Sequence, residues 1–207
     1  MDNNEAIKDL RDIRAMMEKS SRFQAISGWG LTIIGILALT ASWIAHAIFS
    51  ETGGTLFGDT ERLWAHKTQV AVYGSMILVC ICGLIVFLSS MIMARRKGID
   101  FKFDNTMRRV LINFTVPLLA GGLLCLALVM QHHYGLTSSI MLIFYGLALI
   151  NCHHFSHPTL GLLGYLELLL GLIDCFVATH ALLFWTIGFG VLHIVAGISF
   201  IIKERKK

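Results

Sequence analysis

Charge is scarce in this sequence: Asp, Glu, Lys and Arg make up 14% of its 207 residues, against about 25% in an average soluble domain. That excludes a conventional water-facing surface. Catalytic signatures are missing too. The chain holds no P-loop, no G-x-S-x-G elbow, no H-E-x-x-H zinc motif and no glycine-rich dinucleotide turn. Nothing therefore speaks for an enzyme, and no catalytic residue is assigned. No small-residue cleavage site follows a short apolar region near the start, so residues 1–22 do not read as a signal peptide. There is no low-complexity tract and no convincing internal repeat, where an inverted-repeat transporter would show one. The five cysteines, Cys80, Cys82, Cys125, Cys152 and Cys175, lie in or beside apolar runs. A secreted disulfide framework would place them in aqueous loops, so free thiols are expected. Cys80 and Cys82 alternate along a helix and point to different sides, which suits small apolar filler rather than a shared metal.

What the sequence does have is hydrophobic length. Apolar residues are 56% of the total, and they come in blocks near 23–49, 68–94, 110–130, 136–152, 159–178 and 181–202. About 20 apolar residues suffice for a helix to cross a hydrocarbon core of about 30 Å. The blocks predict an all-α, polytopic membrane bundle of six transmembrane helices over 23–202, with the lipid bilayer as solvent. Asp2 and Glu5 stand at capping-box spacing, and Ile7, Leu10, Ile13 and Met17 recur at helical intervals. A short amphipathic cytoplasmic helix over 1–22 is expected from them, lying on the inner leaflet or, as the alternative, pairing with a partner helix. A basic tail, 203–207, closes the chain.

Orientation follows from lysine and arginine. All but Arg62 and Lys67 of the 17 lie before the first block, between Arg95 and Arg109, or after the last, and such segments stay cytoplasmic. An even number of spans agrees with both termini inside, in a bacterial inner membrane. The net charge of +4 is then a matter of topology and not of nucleic-acid binding. Assembly with a second copy or a small membrane partner stays open.

Two acids interrupt the fifth block. Glu167 and Asp174 are seven residues apart, on one helix face with Gly164 and Gly171, while Thr186, Gly190, His193 and Gly197 form a small and polar stripe on the sixth. Two such stripes predict close packing. With a turn near His180, Glu167 and His193 lie thirteen residues to either side, which predicts a contact between them near the midplane, with Asp174 further out and level with Thr186. An acid at the bilayer centre costs about 2.5–3.5 kcal/mol, whereas an interhelical hydrogen bond returns about 0.6–2 kcal/mol. Stability alone explains the pair poorly unless Glu167 is neutral and donates a hydrogen bond. The functional alternative is a proton or cation relay, or a ligand site, with Glu167 as proton carrier and His193 its partner.

Nine histidines are many for this length. His46, His66, His132, His133 and His180 fall near the outer interface, and His153, His154 and His157 follow Cys152 in an inner loop. That inner run offers imidazole and thiolate at spacing open to a transition metal. Interfacial histidine also needs no ligand, and one deep imidazole cannot supply a pair for membrane haem. No cofactor is expected, with a metal- or haem-binding redox protein as the alternative.

Ile13 to Phe23, reading Ile-Arg-Ala-Met-Met-Glu-Lys-Ser-Ser-Arg-Phe, is followed by Ser27-Gly28-Trp29. Further on stand Gly164-Tyr165-Leu166-Glu167-Leu168-Leu169-Leu170-Gly171 and Phe184-Trp185 through Gly188-Phe189-Gly190-Val191-Leu192-His193. Over most of its length the chain resembles a family of uncharacterised six-span bacterial inner-membrane proteins. The resemblance implies a sensory or regulatory role, since such proteins are encoded beside small winged-helix regulators. Glu167 and His193 match that family's Glu and His. The cluster of His153, His154 and His157 does not, because the family carries basic and hydroxyl residues there. The expected function is a non-enzymatic bundle that senses, scaffolds, or carries a small solute or proton.

Overall fold

Stretches rich in Leu, Ile, Ala and Phe satisfy every backbone polar group internally only as helices when water is excluded. In the computed structural model, which describes residues 27–50, 61–96, 105–131, 134–153, 155–177 and 180–205, every regular element is helical. The elements are α1 (Gly28–Ser50), α2 (Glu61–Arg96) and α3 (Asn105–Met130), then a 3-10 turn (Tyr134–Leu136) leading into α4 (Thr137–His153), and α5 (Pro158–Val177). The last rod opens as α6 (Ala181–Trp185), widens into a π-helical stretch (Thr186–Leu192) and continues as α7 (His193–Arg205). The amphipathic helix expected over 1–22 lies outside the described residues.

Five segments are long and apolar enough to cross a membrane: Gly28–Ile48, Tyr73–Arg96, Met107–Met130, Pro158–Val177 and Ala181–Glu204. The sixth apolar helix, Thr137–His153, has 17 residues, about 26 Å at 1.5 Å per residue, a few Å short of a typical core. Tight connections follow it. Pro158 opens α5, where its missing N–H is one a helix start leaves unpaired anyway. His157 caps that start, its Nδ1 accepting from the Thr159 N–H at 3.3 Å. At the other end the His180 carbonyl accepts the Leu183 N–H at 2.9 Å and so begins α6.

Close helix approach depends on glycine, and the glycines choose different partners from those the stripes predicted. A Cβ on Gly164 would lie 2.8 Å from the Gly146 carbonyl oxygen, and one on Gly146 would lie 2.7 Å from the Gly164 carbonyl oxygen. Gly171 faces Leu142 and Ile143 just as tightly. The small face of α5 therefore packs on α4 and not on the last rod. That rod instead packs on α1: Gly197 meets Gly28 reciprocally at 2.7 and 2.8 Å, and a Cβ on Gly35 would lie 2.8 Å from the Gly190 carbonyl oxygen. Glycine spacing tells that a backbone can come close, not which helix will do so.

Of the two glycine-joined pairs, α4 with α5 and α1 with the last rod, the second has a polar contact of its own, and another joins it to α4. Thr186 Oγ1 donates to the Leu182 carbonyl at 2.6 Å, so in its contact with Ser42 the Ser42 hydroxyl is the donor. Ser138 Oγ donates to the Ala181 carbonyl at 2.8 Å. Leu142, fully buried, fills the space between Gly171 and Gly188. By contrast α2 leaves Ile77, Val79 and Leu84 exposed, as a helix surrounded by lipid would. None of the five cysteines is in a disulfide.

Candidate functional site

Sequence spacing put His193 on one stripe with Thr186, Gly190 and Gly197. In the structure Thr186, Gly190 and Gly197 face α1, and His193 is turned toward α5 and α4. The π-helical stretch ends one residue before His193, and its wider turn closes over five residues instead of four. It brings the Gly188 carbonyl oxygen, five residues back, to 3.1 Å from His193 Nδ1.

Glu167 enters the same space from α5. Its Oε1 lies 3.4 Å from His193 Nδ1, with Glu167 0% and His193 1% exposed. A Cβ on Gly188 would sit 2.6 Å from Glu167 Oε2, so the bare backbone at Gly188 is what makes room for the carboxyl group. A carbonyl only accepts, so Nδ1 carries the hydrogen directed at Gly188. Nε2 points the other way, to the Tyr145 hydroxyl on α4 at 2.7 Å. When the imidazole is neutral, Tyr145 donates to Nε2. Because the Nδ1 hydrogen is aimed at Gly188, both carboxyl oxygens of Glu167 lack a hydrogen-bond partner among the described residues.

Rings enclose this group. Phe189 stacks on His193 with centroids 5.9 Å apart and meets Tyr145 at a tilt at 5.2 Å, and Phe114 of α3 meets the Tyr145 ring edge-on at 6.1 Å. Trp185 packs on Phe189 at 5.3 Å.

No family model matches this chain, and neither the curated proteins nor the solved structures hold a match to it. Function has to be read from the site itself.

Asp174 lies two turns further along α5, also 0% exposed. It is not paired with Thr186. Its Oδ2 accepts from Ser139 Oγ of α4 at 2.9 Å, and its Oδ1 has no hydrogen-bond partner among the described residues. Thus both acids point to the interior, Glu167 toward the last rod and Asp174 toward α4.

The inner run of possible metal ligands is spread over three separate local contacts. Cys152 Sγ donates to the Leu149 carbonyl at 3.4 Å, and His153 Nδ1 donates to the Ile150 carbonyl at 2.5 Å. His157 caps α5 and packs its ring on Phe200 at 4.4 Å. His154 lies outside the described residues. Among the described residues no three His, Cys, Asp or Glu come together as a metal site. Of the outer histidines, His46 and His180 are exposed, and His132, His133 and the side chain of His66 lie outside the described residues.

Sequence reasoning passed over Tyr145, Ser139 and Gly188. Tyr145 did carry a signal. It sits in the middle of the shortest apolar block, at a depth where its hydroxyl cannot reach an interface and so needs a partner inside.

Proposed function

We propose that this chain is a multi-pass protein of the bacterial inner membrane, crossing it six times with both termini in the cytoplasm, and that its Glu167–His193 pair binds and releases a proton inside the bilayer. The observation that carries this reading is a carboxyl group with 0% exposure whose two oxygens have no hydrogen-bond partner among the described residues, 3.4 Å from an imidazole nitrogen. A glutamate kept for packing would have its oxygens satisfied, since a half-satisfied buried polar group is worse for stability than an apolar one. An open carboxyl beside a histidine is instead an arrangement in which a proton changes place easily. The family resemblance favours sensing: protonation of the pair is the signal, and the bundle reports it.

The test is the infrared carboxyl band of the purified protein, followed by titration between about pH 4 and 10, the range that brackets a perturbed glutamate. Wild type is expected to show a buried carboxyl that appears and disappears reversibly, and Glu167→Gln to lack it. No titrating band in wild type, or the same band in Glu167→Gln, overturns the proposal. Reconstituted in liposomes, a sensor leaks no protons under a pH gradient, and a carrier conducts them and loses conduction in Glu167→Gln.

The orientation has its own check. In a cysteine-free background, Lys206→Cys is expected to react with a membrane-impermeant maleimide in inverted vesicles and not in intact spheroplasts. The reverse pattern would place the C-terminus outside.

A further inference from the structure

We infer that the Tyr145 hydroxyl is the group through which the proton enters and leaves the Glu167–His193 pair, an inference that rests on the proton-binding reading above. Neither oxygen of Glu167 has a hydrogen-bond partner among the described residues, and His193 Nδ1 approaches one of them to 3.4 Å. A proton reaching Glu167 from a neighbour passes through His193. At Nδ1 the second contact of His193 is the Gly188 carbonyl, which has no proton to give. Only Nε2 is left, and what touches Nε2 is Tyr145. Tyr145 is half-buried, whereas Glu167 and His193 are closed off completely.

The transfer balances in three moves. A proton arriving from outside the pair bonds to the Tyr145 oxygen while the hydroxyl passes its own proton to Nε2. Nδ1 then gives up its proton to Glu167 Oε1. One proton has entered, one O–H bond has formed on the carboxylate, the phenol is neutral again, and the imidazole is neutral with its hydrogen moved from Nδ1 to Nε2. In this loaded state Glu167 donates to Nδ1 and Nε2 donates to the Tyr145 oxygen. The Gly188 carbonyl, 3.1 Å from Nδ1, now faces a lone pair instead of a hydrogen. That opposition favours release by the same path, so the site resets itself.

Other titratable groups stand near this path. Cys152 of α4 and Cys82 of α2 are within electrostatic reach of Tyr145, and Asp174 is two turns along α5. The Cys152 thiol is directed to its own helix at Leu149, and Asp174 to Ser139, so neither stands in the line of transfer.

Tyr145→Phe removes the hydroxyl and keeps the ring among Phe114, Phe189 and His193. The measurement is the rate at which the protonated Glu167 carboxyl exchanges its hydrogen after a jump into D2O, read from its infrared band. Exchange is expected to slow by about 100-fold, the low end of what a positioned acid–base group contributes, with Glu167 still titrating at equilibrium. Unchanged exchange overturns the route through Tyr145. If Tyr145→Phe does not fold, wild type alone decides: the His193 ring nitrogens, labelled with 15N, are expected to exchange roles as Glu167 takes up its proton, and a ring that keeps its hydrogen on Nδ1 in both states overturns the inference. A wild type with no titrating carboxyl defeats the proton-binding reading itself, which separates the two failures.

Discussion

Gly146→Ala in α4 is expected to destabilise the folded protein by about 2–3 kcal/mol, within the usual range for overpacking, although alanine is the better helix former by about 1 kcal/mol. The added Cβ would lie 2.7 Å from both the Gly164 carbonyl oxygen and the Leu168 amide nitrogen. Backbone atoms cannot rotate aside, so α4 and α5 have to separate. The matched control is Gly122→Ala in α3, where a Cβ meets nothing within 4 Å and the propensity gain remains uncancelled. Equilibrium unfolding in mixed detergent micelles should therefore move the two variants in opposite directions. The effect also reaches the site, because α4 carries Ser139 and Tyr145, and α5 carries Asp174 and Glu167. Parting the helices lengthens the 2.9 Å contact of Ser139 with Asp174. A Gly146→Ala protein as stable as the Gly122→Ala control would mean that these helices do not meet at this glycine.

The sequence foretold the meeting of Glu167 and His193 and missed which helices the glycines face, and the reason is geometric. Counting residues from a turn gives height in the bilayer, since each helical residue rises about 1.5 Å. With the turn at His180, Glu167 and His193 had to be level, and the structure sets them 3.4 Å apart. Facing depends on the angle each residue turns through, about 100° in a regular helix, and one irregular turn changes the angle between residues on either side of it. The π-helical stretch over Thr186–Leu192 is such a turn. Its onset within Thr-Ile-Gly-Phe-Gly-Val-Leu has no reliable sequence mark, although Gly188 and Gly190 are what let neighbours approach it. Partner choice was hidden for a different reason. The glycines of α5 and of the last rod look alike in sequence, yet one set is complementary to Gly146 and the other to Gly28 and Gly35, and complementarity belongs to pairs of surfaces.

The same geometry explains why Cys152, His153 and His157 stay in separate local contacts while His193 reaches other helices. Cys152, His153 and His157 sit at the two ends of a tight connection, where a helix end and a helix start leave backbone carbonyls and N–H groups unpaired. Each of these side chains satisfies a local group. His193 is in mid-helix, where the backbone already bonds to itself. Its ring is left to other helices, and it joins α4, α5 and the last rod at one point.

Replacing that ring should expose the charge state of Glu167. His193→Leu removes the polar neighbour of a buried carboxyl and also strands the Tyr145 hydroxyl. If Glu167 is neutral, what is lost is one or two ordinary hydrogen bonds and the partner of the Tyr145 hydroxyl, about 1–3 kcal/mol in all. If Glu167 is ionised, the substitution leaves an uncompensated buried charge, which costs about 3–5 kcal/mol. The sign of the pH dependence is thereby set: the stability difference between wild type and His193→Leu is expected to widen as pH rises and Glu167 loses its proton. At the alkaline end it stops widening once the carboxyl in the variant has lost its proton as well. In a Glu167→Gln background no charge can form, so the cost of His193→Leu should stay small and flat with pH. The four proteins make a double-mutant cycle whose coupling energy, about 1–3 kcal/mol for residues in contact, should itself depend on pH. A coupling that is the same at all pH values would show that Glu167 and His193 meet as packing neighbours without exchanging a proton, and the pair would then be structural.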